Sequence, residues 1–303
     1  MEIKYFDQSW GLEAYAFLST LQVVVFEDSE FRNINNFGSG FFLRHKGRLF
    51  FVTADHVIHY GDFHENETGQ RSKVECYPYI ITNFKEQDGA MSAFIPLGGI
   101  YDYTEYTLDE DTIHNPDKFS SVSSKIVNQD IDINDESLPV GVTIPTFVDI
   151  AVCEVNEPLQ RPILSKEVRV SDDEILVPAD TIKLWLSSDH IAEFNKDDFY
   201  LVVGSICSEG DKQYIYQAPI KHIDMRFEKF GLYGEAYLRV WEYPDIKCWE
   251  GLSGSPVFNY NWELVGMLVS GPKCAPAFAT VIPINQIIRT IDNNVTVENT
   301  LLK

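Results

Sequence analysis

From Leu21 onward the apolar residues come in short bursts separated by Gly, Asn, Asp and Pro, without the spacing of a helix. The runs LQVVVF, GFFLRH, RLFFVTA, YPYIIT, SAFIPL, VDIAVCEV, YLVVGSI, QYIYQAPI, EAYLRVWEY, SPVFN, LVGMLVSG and FATVIP have strand lengths and are rich in β-branched and aromatic residues. Many short strands with turn residues between them predict an all-β barrel or sandwich architecture. Helical spacing is confined to Ser9 to Leu18, Ala179 to Leu186 and Ile284 to Ile291, the last with Pro283 near its first turn, and these helices are expected at the periphery.

Two polar stretches interrupt the strands. Between Asp102 and Glu136 lie ten acidic residues, Asp102, Glu105, Asp109, Glu110, Asp111, Asp117, Asp130, Asp132, Asp135 and Glu136, with few large apolar groups, which predicts a solvated insertion. Asp130, Asp132 and Asn134 have the spacing of the first calcium ligands of an EF-hand. Asp135 and Gly141, however, stand where that loop needs a glycine and a bidentate glutamate, so no metal site is expected. The stretch Glu157 to Asp198 is polar, contains Pro158, Pro162 and Pro178, and falls midway between strand-rich halves. It divides the chain into an N-terminal β domain over 1–156 with an acidic insertion at about 61–146, a linker over 157–198, and a C-terminal β domain over 199–303.

Charge narrows the partners. With 46 acidic against 24 basic residues in 303, a net charge of −22 repels phosphate backbones, so nucleic acid is not an expected partner. The first residues, MEIKYFDQSWGLEAY, lack the basic start and apolar core of a secretory signal, and no apolar run approaches the roughly 20 residues of a membrane span. A cytoplasmic, membrane-free protein is expected. Its five scattered cysteines, Cys76, Cys153, Cys207, Cys248 and Cys274, form no CxxC pair and are expected as free thiols. The sequons at Asn66 and Asn294 have no meaning without secretion.

The chemistry concentrates in three places. EGLSGSPV sets Ser253 between glycines, and a serine hydroxyl becomes a nucleophile only when an imidazole takes its proton and a carboxylate fixes the imidazole's tautomer. His56, in GSGFFLRHKGRLFFVTADHVI, lies at a strand end where a barrel would present it to a cleft. Asp149 leads the apolar strand of FVDIAVCEV, where a carboxylate without a partner would be costly. Each feature alone also suits a turn, a satisfied polar residue or a cap. The remaining histidines, His45, His59, His64, His114, His190 and His222, are expected on surfaces or loops; a metal site at His59 and His64 would lack acids in a rigid element.

Taken together and in order, GSGFFL with VTADHV, then VDIAV, then GLSGSPV with LVGMLVSG resemble the chymotrypsin-like (trypsin-like) serine peptidases over most of the chain from Val23 to Ile288. The resemblance implies two antiparallel six-stranded β-barrels, with the long insertion in the first and a helix at the C-terminus. It implies a serine endopeptidase working through an acyl-enzyme, with Ser253 as nucleophile, His56 as base and then acid, and Asp149 as the orienting carboxylate. It places the oxyanion hole at the N–H groups of Gly251 and Ser253, and Pro256 at the exit into the next strand. No cofactor is implied, and the substrate is a polypeptide.

The family's primary pocket would have its floor at Lys247 and its wall near Leu268, Val269, Ser270 and Gly271. A lysine there would repel basic side chains at the residue supplying the attacked carbonyl, here called the acyl-side residue. Leu252 stands where members activated by proteolysis carry an aspartate, so activation by cleavage is not expected, and packing of Leu252 is the alternative support for the loop. His56 and Asp149 are 93 residues apart, and the acidic stretch accounts for the excess as a gating lobe or as surface decoration. Cys248 and Cys274 lie near positions that secreted relatives join by a disulfide, and reduced thiols are expected here. The same fold also suits a silent or latent binding module, or a peptidase switched on by a protein activator.

Overall fold

The computed structural model describes residues 3–26, 34–58, 77–81, 94–96, 101–103, 149–155, 163–164, 167–209, 215–231, 234–241, 246–272 and 277–301. In the N-terminal half, helix α1 (Gly11–Ser19) leads into β1 (Leu21–Phe26), β2 (Ile34–His45) and β3 (Arg48–Thr53), and a short helix α2 (Asp55–Ile58) follows. Strands β4 (Tyr77–Ile81), β5 (Phe94–Pro96), β6 (Tyr101–Tyr103) and β7 (Ile150–Val155) complete this half. They form one sheet in the order β5-β4-β1-β2-β3-β7-β6.

Strands β8 (Val168–Ser171) and β9 (Glu174–Val177) make a separate hairpin, and β10 (Leu186–Ser187) then adds to β2 in parallel, beside Leu43 and Arg44. The C-terminal half contains β11 (Phe199–Glu209), β12 (Ile215–Phe230), β13 (Ala236–Arg239), β14 (Pro256–Asn259), β15 (Leu264–Ser270) and β16 (Phe278–Pro283), followed by helix α3 (Ile284–Leu301). These six strands close into a barrel in the order β11-β12-β13-β16-β15-β14.

Strand alternation explains how one barrel wall serves two cores. Tyr200, Val202, Val257, Val265 and Leu268 face the barrel interior with Met225, Leu238 and Val281. Their strand neighbours Leu201, Val203, Phe258, Leu264 and Met267 point the other way, into a core shared with Val23, Val25, Phe41, Phe51 and Val152 of the N-terminal sheet. A wall buried on both faces has to be apolar at nearly every position, which is why YLVVG and LVGMLV read as continuous apolar runs. The two halves therefore share a packed core.

Several expectations are corrected. The N-terminal half is mostly β, but among the described residues its sheet is not a closed six-stranded barrel, because the edge strands β5 and β6 are not paired with each other. Strands β4, β5 and β6 lie within 61–146 and pair into the sheet, so that span is not wholly an insertion; residues 104–148, with most of the acidic run and the rejected calcium loop, lie outside the described residues.

The stretch 157–198 does more than link, since it contributes the β8 and β9 hairpin and β10. Its predicted helix at Ala179 to Leu186 does not form. Asp180 takes φ +62°, Thr181 and Ile182 make strand bridges with Lys4 and Ile163, and the buried Lys183 ammonium donates to the carbonyls of Phe17 (2.8 Å) and Thr20 (2.6 Å). Tertiary pairing overrides helical spacing in this segment. Helix α1 is not peripheral either, because Ala14, Ala16, Phe17 and Leu18 are buried. Among the described residues no helix is long and apolar enough to cross a membrane.

Candidate active site

Sheet register brings His56 and Asp149 together across 93 residues. Strands β3 and β7 are antiparallel neighbours with Thr53 opposite Ala151, so the chain just past β3 and the residue just before β7 meet at the same end of the sheet. There His56 Nδ1 donates to Asp149 Oδ2 at 2.6 Å, and the His56 backbone N–H donates to Asp149 Oδ1 at 3.0 Å. Both carboxylate oxygens hold the same residue, and the Asp149 side chain is only 12% exposed. A ring that donates from Nδ1 carries its proton there and none on Nε2, which is the tautomer a general base needs. Asn36 of β2 fixes the turn from behind, its Nδ2 donating to the carbonyls of His56 (2.9 Å) and Val57 (3.1 Å).

Ser253 is held by backbone. Gly251 and Gly254 on either side have φ of +87° and +93°, conformations that disfavour any Cβ. The Gly254 N–H donates to the Leu268 carbonyl at 2.7 Å, and the Ser39 N–H donates to the Ser253 carbonyl at 2.7 Å. Ser39 Oγ donates to the Gly251 carbonyl at 2.6 Å. A Cβ on Gly254 would lie 1.8 Å from the Ser39 carbonyl oxygen.

Leu252 is fully buried, and its Cδ2 would be 2.8 Å from a Cβ on Gly204 of β11, so an apolar anchor sits between the two glycines. Among the described residues nothing accepts from the N–H of Gly251 or of Ser253, and both residues are only half-buried. Two unpaired donors on either side of one residue can receive a developing oxyanion.

Strand β2 lies between the two groups. A Cβ on Gly38 would be 2.5 Å from Val57 Cγ2 and 3.1 Å from the Ser253 carbonyl oxygen, so the chain beside His56 and the chain of Ser253 flank the same point. The Ser253 hydroxyl itself donates to the Val269 carbonyl of β15 at 3.0 Å. A hydroxyl has one proton to give, so activation requires it to turn from this carbonyl to His56 Nε2.

The expected pocket residues fall in different places. Lys247 is exposed on a 3-10 turn (Ile246–Cys248), Leu268 lies in the barrel core, Val269 is buried against the shared core, and Ser270 with Gly271 ends β15 half-buried. Between the 247–253 segment and the end of β15 lies the indole of Trp249, which the sequence analysis did not single out. It is 6% exposed and stacks on His222 with ring centroids 3.6 Å apart and planes 7° from parallel. A Cβ on Gly271 would be 2.4 Å from Trp249 Cγ.

His222 Nε2 donates to the Cys248 carbonyl at 2.9 Å, and burial pulls its pKa down, so the stacked imidazole is neutral. Trp249 Nε1 is buried and, among the described residues, has no acceptor. Truncating so buried an indole costs about 3 to 5 kcal/mol. An unpaired N–H costs about 1 to 3 kcal/mol. Packing therefore holds the ring in place.

His222 is thus not the surface residue expected, and neither is His45, which is buried and bonds Ser188 Oγ (2.8 Å) and Asp292 Oδ1 (3.0 Å). Cys153 and Cys248 are thiols outside any disulfide; Cys76 and Cys274 lie outside the described residues. Among the described residues no cluster of three His, Cys, Asp or Glu could hold a metal. The residues missed by sequence reasoning are Ser39, Asn36 and Trp249. The glycines beside Ser39 were the available signal, because a serine between Gly38 and Gly40 allows backbone to approach from both sides.

No family model matches the chain, and no curated protein matches it. Among solved structures it is similar to the serine endoprotease from Yersinia pestis, at 11% identity and a TM-score of 0.44, over 96% of this chain and 67% of that one. A likeness that slight decides nothing about chemistry.

Proposed function

We propose that this protein is a serine endopeptidase of trypsin-like double-barrel architecture, cleaving polypeptides through an acyl-enzyme at Ser253. The carrying observation is the two-point hold of Asp149 on His56, which fixes the Nδ1–H tautomer of the ring; the N–H groups of Gly251 and Ser253, which among the described residues have no acceptor, support the same reading. In the proposed cycle, Ser253 Oγ attacks the substrate carbonyl while His56 Nε2 takes its proton. The oxyanion is received by the N–H groups of Gly251 and Ser253, and imidazolium gives the proton to the leaving amine. Water then repeats the sequence on the acyl-enzyme. Asp149 stabilises the imidazolium and keeps its tautomer.

Labelling by a fluorophosphonate tests this: wild type is expected to label at Ser253, and His56→Ala and Ser253→Ala are not. A folded wild type that fails to label would sink the reading. One observation favours a second, latent reading, in which a protein activator is required. The Ser253 hydroxyl points its hydrogen bond at the Val269 carbonyl, so the nucleophile is parked. Slow labelling that accelerates with a partner would distinguish that case.

A further inference from the structure

Trp249 stands four residues before Ser253, and its ring fills the space between the nucleophile segment and the end of β15. Three observations fix it there independently. Its Cγ would be 2.4 Å from any Cβ at Gly271, so the ring lies directly on that glycine. The neutral imidazole of His222, anchored to the Cys248 carbonyl, stacks on it at 3.6 Å. The whole residue is 6% exposed. Gly271 is also two residues beyond Val269, whose carbonyl holds the Ser253 hydroxyl, which puts the occupied space beside the nucleophile.

We infer that Trp249 is a specificity-determining residue that closes the primary pocket with its own side chain, so that the site takes polypeptides whose acyl-side residue is glycine or alanine. This rests on the serine endopeptidase reading and goes beyond it by naming the substrate class. A side chain longer than a methyl would have to enter where the indole lies between Gly271 and His222. Expelling the ring would open the stack and uncover a fully packed aromatic surface. The exposed Lys247 takes no part in the selection, so charge on the acyl-side residue matters less than size.

The test uses the whole protein and a peptide series differing only in the acyl-side residue: Gly, Ala, Leu, Phe, Lys and Glu. For wild type, kcat/KM is expected to be roughly 100-fold higher for Ala than for Phe, a ratio within the reach of pocket fit. Trp249→Ala is expected to raise the rate on Phe by a similar factor. Trp249→Leu, a milder truncation that covers the case of a poorly folded alanine variant, should raise the rate on Leu. Equal wild-type rates on Ala and Phe, or an unchanged ranking in a folded variant, would overturn the inference.

A size-neutral fluorophosphonate on wild type reads the catalytic proposal separately. If it fails to label, the pocket is read without catalysis, by titrating indole into Trp249→Ala. A rise in melting temperature seen in that variant and not in wild type supports the filled pocket. No rise in a folded variant overturns it.

Discussion

The proposed base and the proposed nucleophile are built by opposite means. His56 is held by side chains, with Asp149 bonding it twice and Asn36 gripping its carbonyl, just past the ends of two inner strands of the N-terminal sheet. Ser253 is held by backbone, through carbonyl and amide bonds to Ser39 and β15 and two glycines at positive φ, on the wall of a closed barrel. Groups that must change charge are thus fixed by groups that answer charge, while the group that must only be aimed is fixed by shape. The first half should be sensitive to isosteric changes of chemistry and the second to the addition of a single methyl.

The sharpest break comes from the chemistry itself. Ser253→Ala and His56→Ala should each lower ester hydrolysis by about 10⁶-fold with little loss of stability, measured by steady-state kinetics beside denaturant unfolding. Asp149→Asn keeps the shape but reverses the hydrogen bond available to Nδ1, and about 10⁴-fold loss is expected with an intact fold. In the other half, Gly254→Ala should destabilise by about 3 kcal/mol in denaturant unfolding, because the new methyl meets the Ser39 carbonyl oxygen at a φ that disfavours it. If that variant kept full stability, the shape argument would be wrong. Leu252→Ala should cost about 3 kcal/mol by cavity formation, with activity falling further than stability alone explains.

The smallest effect is on pH. Burial lowers the His222 pKa below its ordinary 6.5, so between that value and the folded one the unfolded chain binds more protons. Stability from the neutral stack is full above about pH 6.5 and is lost as pH falls through the depressed folded pKa. Urea midpoints should therefore fall less on acidification in His222→Phe than in wild type. Identical slopes would remove His222 from the account.

Much of this was legible in the sequence, for identifiable reasons. LQVVVF and FATVIP became strands with the expected limits because turn residues bound them. The glycines around Ser253 announced a special backbone, and Leu252 stood out by occupying a position that another residue fills in activated peptidases. Trp249 was illegible because its role lies in what it stacks on, namely His222 on β12 and Gly271 after β15, contacts that no local pattern encodes. The helix read at Ala179 to Leu186 failed because Lys183 finds its partners at Phe17 and Thr20, far away in the chain. The hairpin of β8 and β9 was missed because its strands are only four residues long and most of their residues are exposed, Val170 and Ile175 included, so no regular alternation marks them.

Strand β2 is completed late. It is made early in the chain, yet it receives β10 at Leu43, the serine loop at Ser39 and, through His45, the carboxylate of Asp292 on α3. During synthesis on the ribosome, the first half emerges with these contacts unfilled, and they become available in turn as residues 186, 251 and 292 emerge. A nascent chain thus presents His56 and Asp149 before Ser253 has emerged, so the proposed site stays unassembled while more than a hundred residues are still being made.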